Sequence, residues 1–145
     1  MKVKDLMSTN ITCVKEDALI KNVATHMRKN DVGSIPVCDD LGHIKGIVTD
    51  RDIVLRVMTG MCDETPVTAG DIMTTDPVTV SPDQNIHDAA LLFSHHKIRR
   101  LPVTEASKVV GMLSLGDVAV KPVYIDEAGD ALSAISINNG QQAGS

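Results

Sequence analysis

The stretch "GIVTDRD", residues 46–52, ends a short apolar run with a hydroxyl residue and, three positions on, an aspartate. The figure returns 65 residues later as "GMLSLGD", residues 111–117. The echo is much longer than this motif. "VKDLMSTNITCV" (3–14) aligns with "AGDIMTTDPVTV" (69–80), setting Asp5 against Asp71, Met7 against Met73, Thr9 against Thr75 and Val14 against Val80 at a constant offset of 66. "DVGSIPV" (31–37) meets "KIRRLPV" (97–103) at that same offset, and one residue is then lost in a loop. A register held over about 50 residues with a single gap marks an internal duplication. The period is too long and the copies too few for a solenoid, so the two copies are expected to form a pseudo-two-fold pair, each burying a face against the other.

Within each copy the patterning is mixed. "ITCV" and "VTV" are short β-branched runs and predict strands. Residues 18–30 carry Leu19, Ile20, Val23, Ala24 and Met27 at helical spacing, and residues 85–96 repeat this with Ile86, Ala89, Ala90 and Phe93. Asp17 and Asp83 stand where N-caps are expected. "SIPVCD" and "RLPVTE" predict strands whose prolines need an end or an edge. "HIKGIVT" and "VVGMLS" follow after a turn, "DDLG" in the first copy, and "DRDIVLRVM" and "LGDVAV" open second helices. Each copy therefore reads β-α-β-β-α, a mixed α/β (α+β) arrangement. The expected division is 1–62 for the first repeat, 63–122 for the second and 123–145 for a tail. Residues 59–70 read as the linker. In the tail Ile125, Ala128, Leu132 and Ile135 could form one side of a short helix, and 138–145 is polar enough to be disordered.

Composition narrows the function classes. Fourteen Lys and Arg against 19 Asp and Glu give a net charge of −5, a poor footprint for nucleic acid. Phe93 and Tyr124 are the whole aromatic complement, so no base-stacking platform exists. No apolar run approaches the roughly 20 residues that span a bilayer, and the N-terminus lacks a signal peptide's apolar stretch, which predicts a cytoplasmic protein. Cys13, Cys38 and Cys62 are odd in number and lack C-x-x-C spacing, against a disulfide framework or a zinc site. A redox role for Cys13 and Cys38 has weak support. No nucleophile–base grouping or P-loop can be assembled, which argues against an enzyme. His95 and His96 lack a second ligand pair at metal spacing and read as helix C-terminal cations. Met7 and Met73 read as apolar gap-fillers.

The duplicated unit, each copy carrying an x-x-P-V strand and a G-h-h-[ST]-x-x-D strand-to-helix turn, resembles a CBS domain pair, the Bateman module. The resemblance covers about residues 3 to 120. It implies a regulatory module that binds adenosyl compounds, AMP, ADP, ATP or S-adenosylmethionine, in clefts between the copies, with no obligatory cofactor. It also implies a homodimer and a protein target of unknown identity.

The hydroxyl-x-x-Asp motif then has two compatible readings. Thr49 and Ser114 can cap a helix, with Asp52 and Asp117 favoured by the helix dipole in its first turn. The same turn offers N–H groups to a phosphate, and a carboxylate beside it can accept ribose hydroxyls. The resemblance assigns Asp52 and Asp117 to the ribose and the hydroxyls to the phosphate side. Arg99 and Arg100 are either solvated or meet phosphate oxygens, to which Arg's planar fork is suited. The first copy has Gly33 and Ser34 there, while the second has Gly116 where the first has Arg51, so the clefts are expected to differ. The resemblance extends the candidate ligand set to Ile35, Leu101, Asp76 and Val78. The competing reading is an interaction module with vestigial clefts, in which the tail helix docks on a partner.

Overall fold

The computed structural model describes residues 1–60, 67–119 and 129–136. The chain forms two compact units, and neither is a simple half of it. The first unit contains Asn10–Val78 and Glu105–Val109; the second contains Met1–Thr9, Thr79–Thr104 and Val110–Ser145. Each copy's opening segment therefore lies in the unit built on the other copy's strands.

In the first unit, helix α1 (Ile20–Asn30) precedes the hairpin β1 (Ser34–Cys38) and β2 (Ile44–Thr49), followed by helix α2 (Asp50–Ile53), which runs on as a π-helical segment over Val54–Met58. Helix α3 (Ala69–Ile72) and the short strand β3 (Thr74–Thr75) complete it, in a sheet ordered β1-β2-β3 and antiparallel throughout. Ile20, Val23 and Met27, the α1 stripe, pack with Ile35, Val37, Val48, Ala69 and Ile72. In the second unit, α4 (Ile86–His96) precedes β4 (Arg100–Glu105), β5 (Lys108–Ser114) and α5 (Leu115–Ala119), and a further helix, α6, covers 129–136. Phe93, Leu101, Val103, Leu113 and Val118 are fully buried there.

The strands expected at "ITCV" and "VTV" shrink to single parallel bridges, Val14 to Val37 and Val80 to Val103. The prolines explain why. Val14 N–H donates to the Pro36 carbonyl (3.0 Å) and Cys38 N–H donates to the Val14 carbonyl (2.8 Å); Val80 repeats this with Pro102 and Thr104. The next rung in each ladder would need a proline N–H, which does not exist. Because the Pro36 carbonyl faces Val14, its nitrogen faces that edge too, so the pairing with β2 on the other side is untouched.

The helix starts also differ from expectation. α1 begins after Leu19, whose backbone bridges Thr68, and α4 begins after Asn85, whose carboxamide accepts from His87 N–H (2.8 Å). Asp17 and Asp83 cap neither helix; Asp83 sits in the preceding turn, 3.4 Å from Lys4 and 3.8 Å from Lys2. In α6 the buried side is Ala131 and Ile135, while Leu132 is 43% exposed. Ile125, Ala128, Cys62, Tyr124, the linker positions 61–66 and the tail 138–145 lie outside the described residues.

The motif glycines have a structural cause. Ser8 exchanges both backbone hydrogen bonds with Met112 (2.8 and 2.9 Å), and Thr74 and Thr75 pair with Ile47 and Gly46. These crossing segments bring Met7 against Gly111 and Met73 against Gly46. A Cβ at Gly46 would lie 2.7 Å from Met73 Sδ and 2.7 Å from the Thr74 carbonyl oxygen; at Gly111 it would lie 2.7 Å from Met7 Sδ and 3.0 Å from the Ser8 carbonyl oxygen. The methionines do fill apolar gaps, but each gap exists because the strand beneath has no side chain.

Candidate functional site

Each hydroxyl-x-x-Asp turn closes on itself as a capping box. Thr49 Oγ1 accepts from Asp52 N–H (3.1 Å), and Asp52 Oδ2 accepts from Thr49 N–H (2.9 Å). Ser114 Oγ and Asp117 N–H repeat this at 3.1 Å, and Asp117 Oδ2 and Ser114 N–H at 2.9 Å. A further backbone bond anchors each turn to the start of the neighbouring strand, Asp50 N–H to the Gly33 carbonyl (2.9 Å) and Leu115 N–H to the Arg99 carbonyl (2.8 Å). The capping reading is thus what the geometry displays, and in each carboxylate it uses only one oxygen.

The surroundings separate the two turns. Asp52 Oδ1 lies 4.0 Å from Arg56 Nε, and Arg56 also donates to the Ile72 carbonyl (2.7 Å). Among the described residues Asp117 Oδ1 has no ion-pair partner, and neither do the side chains of Arg99 and Arg100. A recess of about 540 Å³ opens in the second unit, lined by Arg99, Arg100, Ser114, Leu115, Gly116, Ala119, Gly129 and Leu132. Four residues singled out from sequence, Arg99, Arg100, Ser114 and Gly116, therefore share one wall system. That volume falls in the range of small-molecule sites.

Other candidates are placed less directly. Ile35 and Leu101 are buried at 1% and 0% exposure, so their side chains belong to the cores and only their main chains could face a ligand. Asp76 is exposed, with a left-handed backbone (φ 49°), and Val78 is half-buried beyond it. Arg51 is exposed in the first turn of α2. Asp117 belongs to the recess turn without lining the recess. Leu115, Ala119, Gly129 and Leu132 are recess residues that motif reasoning did not find. The last two come from α6, whose apolar spacing was visible but pointed to no site. His95 and His96 lie in the last turn of α4, and among the described residues no group of three or more His, Cys, Asp or Glu could hold a metal. Among the same residues no helix is long and apolar enough to cross a membrane.

A duplicated α+β unit with a capped strand-to-helix turn in each copy defines a tandem-repeat module, and the family comparison agrees. The CBS domain model matches residues 3–59 and 69–124, so the chain belongs to the CBS domain family as a tandem pair. It is 40% identical over 138 residues to the CBS domain-containing protein YhcV of Bacillus subtilis, covering 94% of this chain and 96% of the relative. Among solved structures it is similar to CBSX2 of Arabidopsis thaliana in complex with AMP (TM-score 0.75, 29% identity, 86% of this chain and 98% of that one). It is also similar to the CBS domain pair of MJ0100 in complex with 5′-methylthioadenosine and S-adenosyl-L-methionine (TM-score 0.74, 25% identity, 83% and 94%).

Proposed function

We propose that the recess of the second unit binds an adenosyl compound and that the protein is a regulatory sensor of that ligand. The observation that carries the reading is that Arg99 and Arg100, which have no carboxylate partner among the described residues, line the same recess as Ser114 and Gly116. Cations without a carboxylate partner attract phosphate, and Arg's fork meets two phosphate oxygens at once. AMP, ADP or ATP fit that charge better than S-adenosylmethionine, which brings its own positive sulfur. Similar proteins hold AMP, or S-adenosylmethionine with 5′-methylthioadenosine, which supports the adenosyl class. In this reading Asp117 Oδ1 accepts from the ribose, Leu115, Ala119 and Leu132 give the base an apolar surface, and Asp52 plays the ribose role in a weaker first-unit site.

The same reading includes a cytoplasmic homodimer acting on a protein target. Val54, Leu55 and Met58 are 55%, 44% and 76% exposed along the helical extension of α2, and a second copy is the economical cover for such a stripe. Regulation requires that the ligand bind two states of the protein unequally. Thermal-shift measurement across AMP, ADP, ATP, S-adenosylmethionine and adenosine tests the proposal, because a ligand at 100-fold its Kd stabilises by about 2.7 kcal/mol. No shift with any of them would overturn it in favour of vestigial clefts. Native mass spectrometry on the same sample reads the dimer and any co-purified adenosyl compound.

A further inference from the structure

Cys13 and Cys38 lie 25 positions apart in the sequence and side by side in the first unit. The single bridge between Val14 and Val37 holds them there, flanked by the 2.8 Å bond from Cys38 N–H to the Val14 carbonyl. The register of the β1–β2 pair slips between Val37 and Cys38, so a bulge sits at the second cysteine. Both thiols are free, and each thiol shifts the other's titration. Their settings are opposite. Cys13 is exposed to solvent; Cys38 is 3% exposed.

We propose that Cys13 and Cys38 are a thiol–disulfide exchange pair, with Cys13 the attacking thiol and Cys38 the resolving one, and that a low-molecular-weight disulfide is the co-reactant. The Cys13 thiolate attacks one sulfur of the small disulfide. A Cys13–S–S–R bond forms, the R–S–S–R bond breaks and one thiolate leaves. Cys38 then attacks the Cys13 sulfur, the second small thiolate departs with the Cys38 proton, and a Cys13–Cys38 disulfide remains. Two protein thiols are oxidised and one small disulfide is reduced to two thiols.

The chemistry of the pair suits the two roles. The Cys38 hydrogen bond lowers the Cys13 thiol to about 7, against the opposing effect of burial, so a large share is thiolate at neutral pH. The hydrogen bond to Cys13 raises the Cys38 thiol, and burial adds to it, which keeps Cys38 protonated and shielded. Capping Cys13 removes the acceptor that holds the Cys38 proton, so the resolving thiol is released at the step that needs it. The resulting bond would staple residues 13–14 to the outer edge of β1, where the proline limits the backbone ladder to one bridge.

The test uses the full chain carrying Cys62→Ser, so that only this pair reacts. After incubation with oxidised glutathione at pH 7, intact mass is expected to fall by two hydrogens, with peptide mapping linking Cys13 to Cys38. Adding Cys38→Ser should halt the reaction at one glutathione on Cys13. Adding Cys13→Ser should slow all modification roughly 10-fold or more, the loss expected when a thiolate-rich cysteine is replaced by an ordinary or buried one. A lasting glutathione adduct on Cys13 beside a free Cys38, first reaction at Cys38, a bond between two chains, or no reaction would each overturn the proposal.

Discussion

The turns at Thr49–Asp52 and Ser114–Asp117 have the same backbone and different neighbours. Their four capping distances agree pairwise at 3.1 and 2.9 Å, and each turn is tied by one backbone bond to the head of an adjacent strand. At that strand head the first unit has buried Gly33 and Ser34, and its spare carboxylate oxygen looks toward Arg56. The second unit has Arg99 and Arg100 with no acidic partner among the described residues, and among the same residues its spare oxygen has no ion-pair partner. The duplication kept what the backbone needs, a capped turn on a glycine-backed strand. It did not keep the charge.

The largest expected effect would sharpen that difference. Arg99→Ala and Arg100→Ala should each weaken ATP and AMP binding by about 10- to 150-fold, the worth of one charge-assisted contact of roughly 1.5–3 kcal/mol, and leave adenosine unchanged. Arg51→Ala, in the first copy, should change neither. Calorimetric titration of the three ligands reads this; equal losses for adenosine and ATP would mean that the arginines shape the recess and do not touch phosphate.

Next in size is the test of the shared backbone. Gly46→Ala forces a methyl onto the Thr74 carbonyl as well as Met73, and should destabilise by about 1–3 kcal/mol as an overpacked site. Gly111→Ala meets a backbone oxygen slightly farther away, with a flexible methionine end as the closer obstacle, and should cost less. Urea unfolding of both variants gives the order; a larger loss at Gly111 would contradict it. Thr49→Ala and Ser114→Ala each remove a cap and should cost a similar 0.5–2 kcal/mol, about the range for such caps. Markedly unequal losses would show that the two turns are not equivalent even as caps.

The smallest effect concerns Asp71, the capping partner of Thr68 at the start of α3. The Thr68 N–H bond (2.9 Å), with its hydroxyl, holds this exposed carboxyl below its ordinary value. A lowered folded-state value means that the stabilisation is present above the unfolded carboxyl value and fades as pH falls through the folded one. Melting temperatures of wild type and Asp71→Asn should therefore differ slightly at neutral pH and converge in acid. A gap that persists at low pH would point to packing as its source.

Much of this was legible in the residues alone. The duplication, the α1 and α4 stripes, the hairpins around Pro36 and Pro102 and both hydroxyl-x-x-Asp turns depend on short-range periodicity and on local hydrogen bonds, and such signals survive in a linear reading. Four of the residues that share the second-unit recess stand within two motifs for the same reason. The exchange of opening segments was not legible. That Met7 covers Gly111 and Met73 covers Gly46 is a long-range pairing, and a methionine facing a glycine leaves no local trace. The single-bridge fate of "ITCV" and "VTV" depended on which edge each proline nitrogen faced. The part of α6 in the recess, and the pairing of Cys13 with Cys38, likewise rest on contacts between segments far apart in the chain. The sequence determined the elements and the caps, because those are satisfied within a few residues. The tertiary structure decided which segment crosses which strand and which side chains share the recess, because those depend on what else is brought alongside.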